Sequence, residues 1–356
     1  MGSRVSSTIG VGVIGLGDGG MSNLRSLMMF PGVRVVALYD LDPAKYSAVA
    51  QELSLGPEFY RPDVESLVLD PAVDLVVVAT PDDQHLPPLR AALNAGKYVF
   101  LEKPVATSMN DLAEIRVLAG GFPDRIHFGE KYSHARPVKA ALACRDALGP
   151  FMFGCTLYSM WRCDRIMGGG KWRTESRYNP CAGGLSHNFM TALLFAGATI
   201  RRIRATGQVL TYHENLDNHG GYDTMEGALE FANGRRLSWL ICLAVRGDGS
   251  PLAHRTIAHT FQFECGTLAY GPTPEGDRLI VDGKAVSFSP EPSFEEWAGY
   301  NIGELYRGMH ADILAAIRGE GKPRHTIKDG INVAAACIAA FQSAQEGGGW
   351  VQVPFS

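Results

Sequence analysis

The sequence predicts two domains: an N-terminal Rossmann domain with a doubly wound parallel sheet, and a C-terminal domain with an open, largely antiparallel β-sheet. Three observations predict this division. Apolar strands alternate with helical segments from residue 9 to about residue 130, the pattern of a parallel sheet covered by helices. A glycine-rich turn follows the first of these strands. Beyond about residue 135 longer alternating runs replace this pattern, so we assign residues 1–130 and 131–356 to the two domains.

The elements of the first domain are predicted from short apolar runs and from the residues that bound them. Two helices have clear ends: Pro43–Leu53 has proline in its first turn, and Gly96 follows Gln84–Ala95. The predicted strands are Ile9–Ile14, Val33–Tyr39, Asp74–Ala79, Tyr98–Leu101 and Ile126–Phe128. Strands that alternate with helices in this way favour parallel pairing.

The second domain is predicted from long alternating runs, with tight turns such as Asn233–Gly234 between some of them. A helix near Pro137–Leu148 precedes these runs, and helices near Ile302–Arg318 and Asp329–Gln345 close the chain. The predicted strands are Phe151–Met160, Ile203–Tyr212, Met225–Phe231, Arg236–Val245, Ile257–Glu264 and Thr267–Tyr270. Such alternation is typical of antiparallel sheets.

The turn after the first strand has glycines at positions 15, 17 and 20, the G-x-G-x-x-G spacing. Gly15 allows a sharp turn, Gly17 lets the backbone approach a pyrophosphate, and Gly20 lets the helix pack close to the strand. The following helix N-terminus offers unpaired N–H groups and a positive dipole end to phosphates. The spacing therefore predicts a dinucleotide site that includes Leu16.

Asp40 ends the second predicted strand, twenty residues after Gly20. A carboxylate at this place can accept hydrogen bonds from both hydroxyls of an adenosine ribose, and it repels a 2′-phosphate. The preferred cofactor is therefore predicted to be NAD rather than NADP.

Composition excludes several classes of protein. The net charge of −4 and the pI near 6.2 argue against a nucleic-acid partner, which requires a basic face. The seven cysteines form no C-x-x-C pair, and no spacing of ligand residues suggests a metal site. No apolar run approaches the length of a membrane span. We therefore expect a cytoplasmic protein with no membrane partner.

Two further segments carry a resemblance to a known family. Val76–His85 runs from an apolar strand into Thr80 and Pro81, and Val99–Pro104 ends in Glu-Lys-Pro. Together with the glycine loop, these segments resemble the Gfo/Idh/MocA family of NAD(P)-dependent oxidoreductases, which act mostly on sugars, glycosides and cyclitols. The resemblance implies a Rossmann domain and a sheet domain whose open face often forms a dimer, so a homodimer or homotetramer is expected.

The resemblance also implies the site residues of the first domain. Thr80, Pro81, His85 and Glu102 would lie near the cofactor, and Glu102 would order its ribose or the neighbouring lysine. Lys103 would face the reacting hydroxyl, where an ammonium group stabilises developing alkoxide charge. His85 has a plainer alternative as a polar residue in the first turn of a helix. The Lys103–Pro104 bond is a candidate for the cis form.

The second domain departs from the family pattern, which usually has an Asp and a His four residues apart on one helix face. Counting forward from Gly184, His187 falls near the Asp position and Thr191 follows four residues later; counting back from Gly197, His187 matches the His. On either count His187 is the strong base of this segment. The alternative is a buried structural histidine. Either Tyr132 or His213 is a candidate for completing the site.

The segment from Trp161 to Arg173 is rich in glycine and resembles the family's loop over the active site. In the family, a Trp-Arg pair at the place of Trp172 and Arg173 tends to touch nicotinamide and substrate. An amphipathic surface loop is the alternative.

The predicted function is NAD-dependent oxidation of a secondary hydroxyl to a ketone, or the reverse, on a sugar, glycoside or cyclitol ring. Three alternatives stay open at this stage. They are a redox-cycling glycosidase or epimerase with tightly bound NAD, a keto-sugar reductase, and a non-catalytic sensor of NAD or sugar.

Overall fold

A computed structural model describes residues 8–160, 180–211, 221–244, 255–271, 276–289 and 301–355. The chain forms two compact units. The first comprises Met1–Lys131 and Gly299–Ile331, and the second comprises Tyr132–Ala298 and Asn332–Ser356. The sequence-based division keeps the segment Gly299–Ile331 with the second domain, so the two divisions differ there.

The first unit contains a five-stranded parallel sheet with the order β2-β1-β3-β4-β5. Its strands are β1 (Ile9–Ile14), β2 (Val33–Tyr39), β3 (Leu75–Val78), β4 (Tyr98–Leu101) and β5 (Ile126–Phe128). Strand order reverses on either side of β1, because the chain runs outward to β2 and then back across to β3. Ligands of open α/β sheets bind beyond the carboxyl ends of the strands at such a point.

Helices connect these strands and cover the sheet. They are Asp18–Leu27, Ala44–Leu53, Val64–Val68, Leu86–Asn94 and Met109–Gly121. The late helix Arg307–Arg318 also packs into this core, where Met309, Ile313 and Leu314 are buried with the apolar residues of β1 and the helix Asp18–Leu27. The end of the chain therefore contributes an apolar helix face to the first sheet.

The second unit contains a nine-stranded sheet with the order β13-β12-β11-β10-β6-β9-β8-β7-β14. All neighbouring strands in it are antiparallel except β6 and β9, which are parallel. Its strands are β6 (Phe151–Met160), β7 (Ile200–Gln208), β8 (Thr224–Phe231), β9 (Arg236–Cys242), β10 (Arg255–Phe263), β11 (Gly266–Tyr270), β12 (Arg278–Val281), β13 (Lys284–Ala285) and β14 (Val351–Gln352). The predicted fold class is confirmed.

The other α-helices within the described ranges are Arg136–Ala143, Arg145–Leu148, Pro180–Ala196 and Ile327–Gln345, and a π-helical segment, Asn301–Tyr306, precedes Arg307–Arg318. In the second unit the helix Pro180–Ala196 packs closely against the sheet. A Cβ atom added to Gly184 would lie only 2.4 Å from the Ile241 side chain and 3.1 Å from the Tyr158 ring. Glycine at 184 thus permits close contact between helix and sheet. Among the described residues, no helix combines the length and apolarity that crossing a membrane requires.

Candidate functional site

The glycine loop has the shape that a dinucleotide pyrophosphate requires. Gly15 has a φ of +92°, and a Cβ there would lie 2.5 Å from the carbonyl oxygen of Ala79. A Cβ on Gly20 would lie 1.8 Å from the oxygen of Gly15. In contrast, a Cβ on Gly17 would have no atom within 4 Å, so open space lies beside this residue. Two glycines therefore serve packing, and Gly17 faces the space in which a phosphate fits.

The helix that follows this loop begins at Asp18 with Gly17 as its N-cap, and no side chain caps it. The first N–H groups of a helix have no partner within the helix. These donors and the positive dipole end lie beside the open space at Gly17, an arrangement that can accommodate an anion. The residues present therefore fit the diphosphate of a nicotinamide dinucleotide.

The Asp40 carboxylate lies next to this loop. Its Oδ2 accepts a hydrogen bond of 2.6 Å from the N–H of Leu16, and its Oδ1 accepts one of 2.9 Å from the N–H of Asp42. The structure thus brings together two predicted cofactor residues, Leu16 and Asp40. Because each carboxylate oxygen has two lone pairs, Asp40 can still accept hydrogen bonds from ribose hydroxyls.

The loop after β3 contains Thr80, Pro81 and His85. The Thr80 hydroxyl donates to the carbonyl of Gln84 at 3.0 Å, which closes a short turn over Pro81. His85 is buried. Its Nε2 lies 3.2 Å from the backbone carbonyl oxygen of Thr80, and its Nδ1 lies 3.3 Å from the backbone carbonyl oxygen of Val105. The imidazole therefore joins this loop to the segment after β4. Direct contact between His85 and the cofactor stays a prediction.

Glu102 and Lys103 directly follow β4, at the same edge of the sheet as the glycine loop. The Glu102 Oε2 accepts a hydrogen bond of 3.1 Å from the backbone N–H of Lys103. The Lys103–Pro104 bond is cis, as the sequence suggested. The Glu102 carboxylate thus contacts the backbone of the lysine that follows it.

Asn23 belongs to this site, although the sequence analysis did not identify it. It is fully buried in the helix Asp18–Leu27, and its amide nitrogen donates to Glu102 Oε1 at 2.7 Å and to the Gly19 carbonyl at 2.8 Å. The signal in the sequence is a polar residue on the buried face that also carries Gly20 and Leu27, since residues three and four apart share a helix face.

His187 lies in the second unit, on the helix Pro180–Ala196, and is buried among aromatic rings. Its ring centroid is 4.6 Å from that of Tyr132, edge to face, and 6.3 Å from that of Tyr158, which is stacked. The Thr191 hydroxyl donates to the carbonyl oxygen of His187 at 3.2 Å. Tyr132 is thus brought to His187, while the Thr191 hydroxyl is engaged with the backbone of its own helix.

Three predicted residues, Trp172, Arg173 and His213, lie outside the described residues. Lys103 belongs to the first unit and His187 to the second, so their joint action on one substrate stays a prediction. His127 and His134 are buried. Across the described ranges, no group of three or more His, Cys, Asp and Glu residues could hold a metal ion.

Comparisons with known proteins bear on both units. Residues 9–122 match the model of the Gfo/Idh/MocA oxidoreductase family, described as having an NAD-binding Rossmann fold. The chain is 28% identical over 228 residues to a 1-carboxy-3-chloro-3,4-dihydroxycyclohexa-1,5-diene dehydrogenase of Comamonas testosteroni, over 63% of this chain and 55% of that protein. It is 26% identical over 331 residues to a 1,5-anhydro-D-fructose reductase of Ensifer adhaerens, over 89% of this chain and 90% of that protein.

The chain spans at most 55% of the length of the first three curated relatives that it matches. A solved structure of scyllo-inositol dehydrogenase from Lactobacillus casei, with bound NAD(H) and scyllo-inositol, shares the fold. Its TM-score is 0.76 at 18% identity, over 97% of this chain and 99% of that one. The family match and the glycine, Asp40 and Glu102-Lys103 motifs agree. The N-terminal Rossmann domain, over residues 9–122, therefore matches the Gfo/Idh/MocA family of oxidoreductases, as its motifs predict.

Proposed function

We propose that this protein is an NAD-dependent dehydrogenase that interconverts a secondary hydroxyl and a ketone on a sugar, glycoside or cyclitol ring. One observation carries the proposal: the open, uncapped glycine cradle and the Glu102–Lys103 pair lie at the same carboxyl edge of one parallel sheet. A dinucleotide bound in this cradle would share that edge of the sheet with Lys103, whose ammonium group can stabilise a developing alkoxide.

NAD is proposed over NADP because of Asp40. Its carboxylate is tied to the Leu16 N–H at 2.6 Å, which keeps a negative charge at the mouth of the glycine loop. A 2′-phosphate on the ribose would meet this charge at close range, whereas free hydroxyls would donate to it. The bound cofactor supplies the hydride acceptor or donor.

The residues of the chain supply the proton chemistry. Lys103 would donate hydrogen bonds to the reacting oxygen and stabilise its developing negative charge, with its backbone held by Glu102. His187 would carry the proton to and from that oxygen, because an imidazole titrates near neutral pH. In the second unit the Tyr132 ring lies against His187 and is the nearest candidate for completing the proton path.

The substrate class rests on the relatives. One relative is a 1,5-anhydro-D-fructose reductase, and one solved neighbour is a scyllo-inositol dehydrogenase with scyllo-inositol bound. Both names describe polyhydroxylated rings. Trp172 and Arg173 are proposed to contact nicotinamide and substrate. A cytoplasmic location and a homodimer or homotetramer belong to the same proposal; the six described cysteines are free, as in a reducing compartment.

The test follows nicotinamide absorbance when the purified protein meets NAD or NADP with free sugars, glycosides and inositols. We expect NADH formation with one ring class, and a loss of about 100-fold or more for Lys103→Met. Lys322→Met changes an exposed lysine and serves as the matched control. Turnover that survives in Lys103→Met would reject the proposed role. Product formation without net NADH would instead identify the redox-cycling reaction, and ligand binding without any product would identify the sensor.

A further inference from the structure

The first unit contains a buried hydrogen-bonded chain that ends at Glu102. The His310 Nδ1 lies 2.8 Å from the Ser26 hydroxyl, and its Nε2 lies 2.8 Å from the Asn23 Oδ1. The Asn23 amide nitrogen then reaches Glu102 Oε1 at 2.7 Å. Ser26, Asn23 and His310 are each at most 1% exposed. Residues nearly 290 positions apart in sequence thus meet beneath the Glu102–Lys103 pair.

The direction of each donation follows from the end of this chain. An ionised Glu102 only accepts hydrogen bonds, and so does the Gly19 carbonyl, so the Asn23 atom that faces both must be its NH₂. The Asn23 atom that faces His310 is therefore the oxygen, an acceptor. Consequently Nε2 of His310 must carry a proton and donate it.

His310 is neutral in the folded protein, because burial lowers the pKa of its imidazole to about 3. A neutral ring carries one proton, so Nδ1 is an acceptor and receives the hydroxyl proton of Ser26. Donation thus runs in one direction from Ser26 through His310 and Asn23 to the Glu102 carboxylate. A flipped Asn23 amide would place its oxygen against Glu102 and against the Gly19 carbonyl, both of which are acceptors, so both contacts would be repulsive.

We infer that His310 and Asn23 are positioning residues for Lys103: His310 fixes the Asn23 amide, which holds the Glu102 carboxylate in the orientation that binds the Lys103 backbone. This inference rests on the proposed function, in which Lys103 faces the reacting oxygen. It adds two residues, one from the glycine-loop helix and one from the helix Arg307–Arg318, that are both buried in the core of the first unit. The second Asn23 donation, to Gly19, ties the same amide to the first turn beside the phosphate cradle.

The sharpest variant is Asn23→Asp, which keeps the shape but replaces the NH₂ by a second carboxylate oxygen against Glu102. Two carboxylates at this separation share one proton, and the shared proton restores the missing donation. Lys103 adjoins Glu102, Tyr306 interacts electrostatically with it, and Asp18, Glu130 and Lys131 lie near Tyr306; all five are unchanged in this variant. We therefore expect the ratio of variant to native kcat to be closest to one at low pH. It should fall about tenfold or more as rising pH removes the shared proton.

Asn110→Asp is the matched control, because it adds the same charge at an exposed position. Its kcat ratio should not vary with pH. His310→Phe keeps a ring of similar size and should lower kcat several-fold, with a ratio to native kcat that does not vary with pH. In both Asn23→Asp and His310→Phe, the KM for NAD should change less than kcat. An Asn23→Asp ratio that is constant across pH, in protein with an unchanged unfolding temperature, would overturn the inference.

A second measurement needs neither a variant nor turnover. Nitrogen-15 NMR of the histidine rings of the intact protein should show His310 as the neutral tautomer with its proton on Nε2 between pH 5 and 8. A proton on Nδ1, or a charged ring at pH 7, would contradict the direction of donation inferred for the hydrogen-bonded chain and would overturn the inference. If Lys103→Met retains turnover while this tautomer is found, the proposed function fails and the hydrogen-bonded chain stands, so the two failures are distinguishable.

Discussion

Tyr132 meets His187 edge to face, with ring centroids 4.6 Å apart and an angle of 86° between the planes. Both side chains are less than 10% exposed, and the Tyr158 ring is also stacked with the imidazole, with centroids 6.3 Å apart. His187 is therefore oriented by two aromatic rings in a segment where relatives of this family usually carry an Asp–His pair. This packing is compatible with a structural histidine and with a base that a tyrosine assists, and substitutions distinguish the two.

Tyr132→Phe keeps the ring contact and removes only the hydroxyl. If that hydroxyl completes the proton path with His187, kcat should fall about 10- to 100-fold with little change in unfolding temperature. Thr191→Val is the matched control, because the Thr191 hydroxyl is bonded to the His187 carbonyl inside the helix, and kcat should stay within about threefold. Steady-state kinetics check both. Equal kcat values for native protein and Tyr132→Phe would show that the Tyr132 hydroxyl takes no part in proton transfer.

The glycine loop allows packing and binding to be separated. Gly17→Ala has room for its methyl group, and Gly17 has a φ of −72°, so the variant should fold normally. Its methyl group would occupy the phosphate cradle, and NADH affinity should fall about tenfold or more. Fluorescence titration with NADH measures this effect.

Gly20→Ala is the contrasting variant, because its Cβ would lie 1.8 Å from the Gly15 oxygen. That atom belongs to the backbone and cannot move aside, so we expect a loss of about 1–3 kcal/mol in the free energy of unfolding. Unfolding in urea provides the measurement. A Gly17→Ala protein that binds NADH as tightly as the native chain would contradict the assignment of the cradle.

Asp40→Asn tests the choice of cofactor. The variant can still accept the Leu16 N–H through its amide oxygen, but it loses the negative charge. The ratio of NADPH to NADH dissociation constants should therefore fall about tenfold. Asp63→Asn is the control, since Asp63 caps the helix Val64–Val68 and asparagine is an equally good cap. A ratio that does not move in Asp40→Asn would show that other residues exclude the 2′-phosphate.

Glu230 in β8 contacts three arginines, Arg201 and Arg202 from β7 and Arg236 from β9, while its own side chain is 4% exposed. Hydrogen bonds from Arg202 lead the causes that lower the pKa of Glu230 to about 2. Since this value is below the usual one, the carboxylate stabilises the fold above pH 4.5, and this contribution is lost as pH falls towards about 2.

Glu230→Gln should lower the free energy of unfolding at pH 7 by about 1–3 kcal/mol, because three guanidinium groups lose their counter-charge. Glu114→Gln is matched to it, since the pair of Arg90 and Glu114 is half-exposed and should contribute less than about 1 kcal/mol. Urea denaturation compares the two variants. Equal losses would show that burial of Glu230 does not strengthen its ion pairs.

Much of the fold could be predicted from sequence periodicity. The bounds of β1, β2, β4 and β5 are those predicted, because each strand is a buried apolar run with clear ends. β7 begins at Ile200, three residues earlier than predicted, since Arg201 and Arg202 gain a partner in Glu230 that the local sequence does not reveal. The strands β13 and β14 contain two residues each, too few to show a period.

The residues of the candidate site likewise fall into some that the sequence can indicate and some that it cannot. Gly15, Gly17, Asp40 and Lys103 could be proposed for the site because their motifs are local and their spacing reflects one strand-to-helix turn or one strand end. The link between Asn23 and His310 could not, because it joins two helices that are distant in sequence and depends on how the helix Arg307–Arg318 packs into the first core.

His127 should make the first unit sensitive to mild acid. Burial lowers the pKa of its imidazole to about 4, and its Nε2 has no hydrogen-bond partner among the described residues. In the unfolded chain this imidazole binds a proton near pH 6.5, whereas in the folded protein it stays neutral down to about pH 4. The free energy of unfolding is therefore not reduced by this group above pH 6.5. It should fall by up to about 1.4 kcal/mol per pH unit for this group as pH drops towards 4. His310 and His325, also buried, act in the same direction.

His127→Phe keeps a ring beside Tyr98 and removes the titrating group. Its unfolding temperature should equal or exceed that of the native protein at pH 7.5 and should fall less between pH 7.5 and 5. Parallel curves of unfolding temperature against pH for the two proteins would show that His127 does not contribute to the loss of stability in acid.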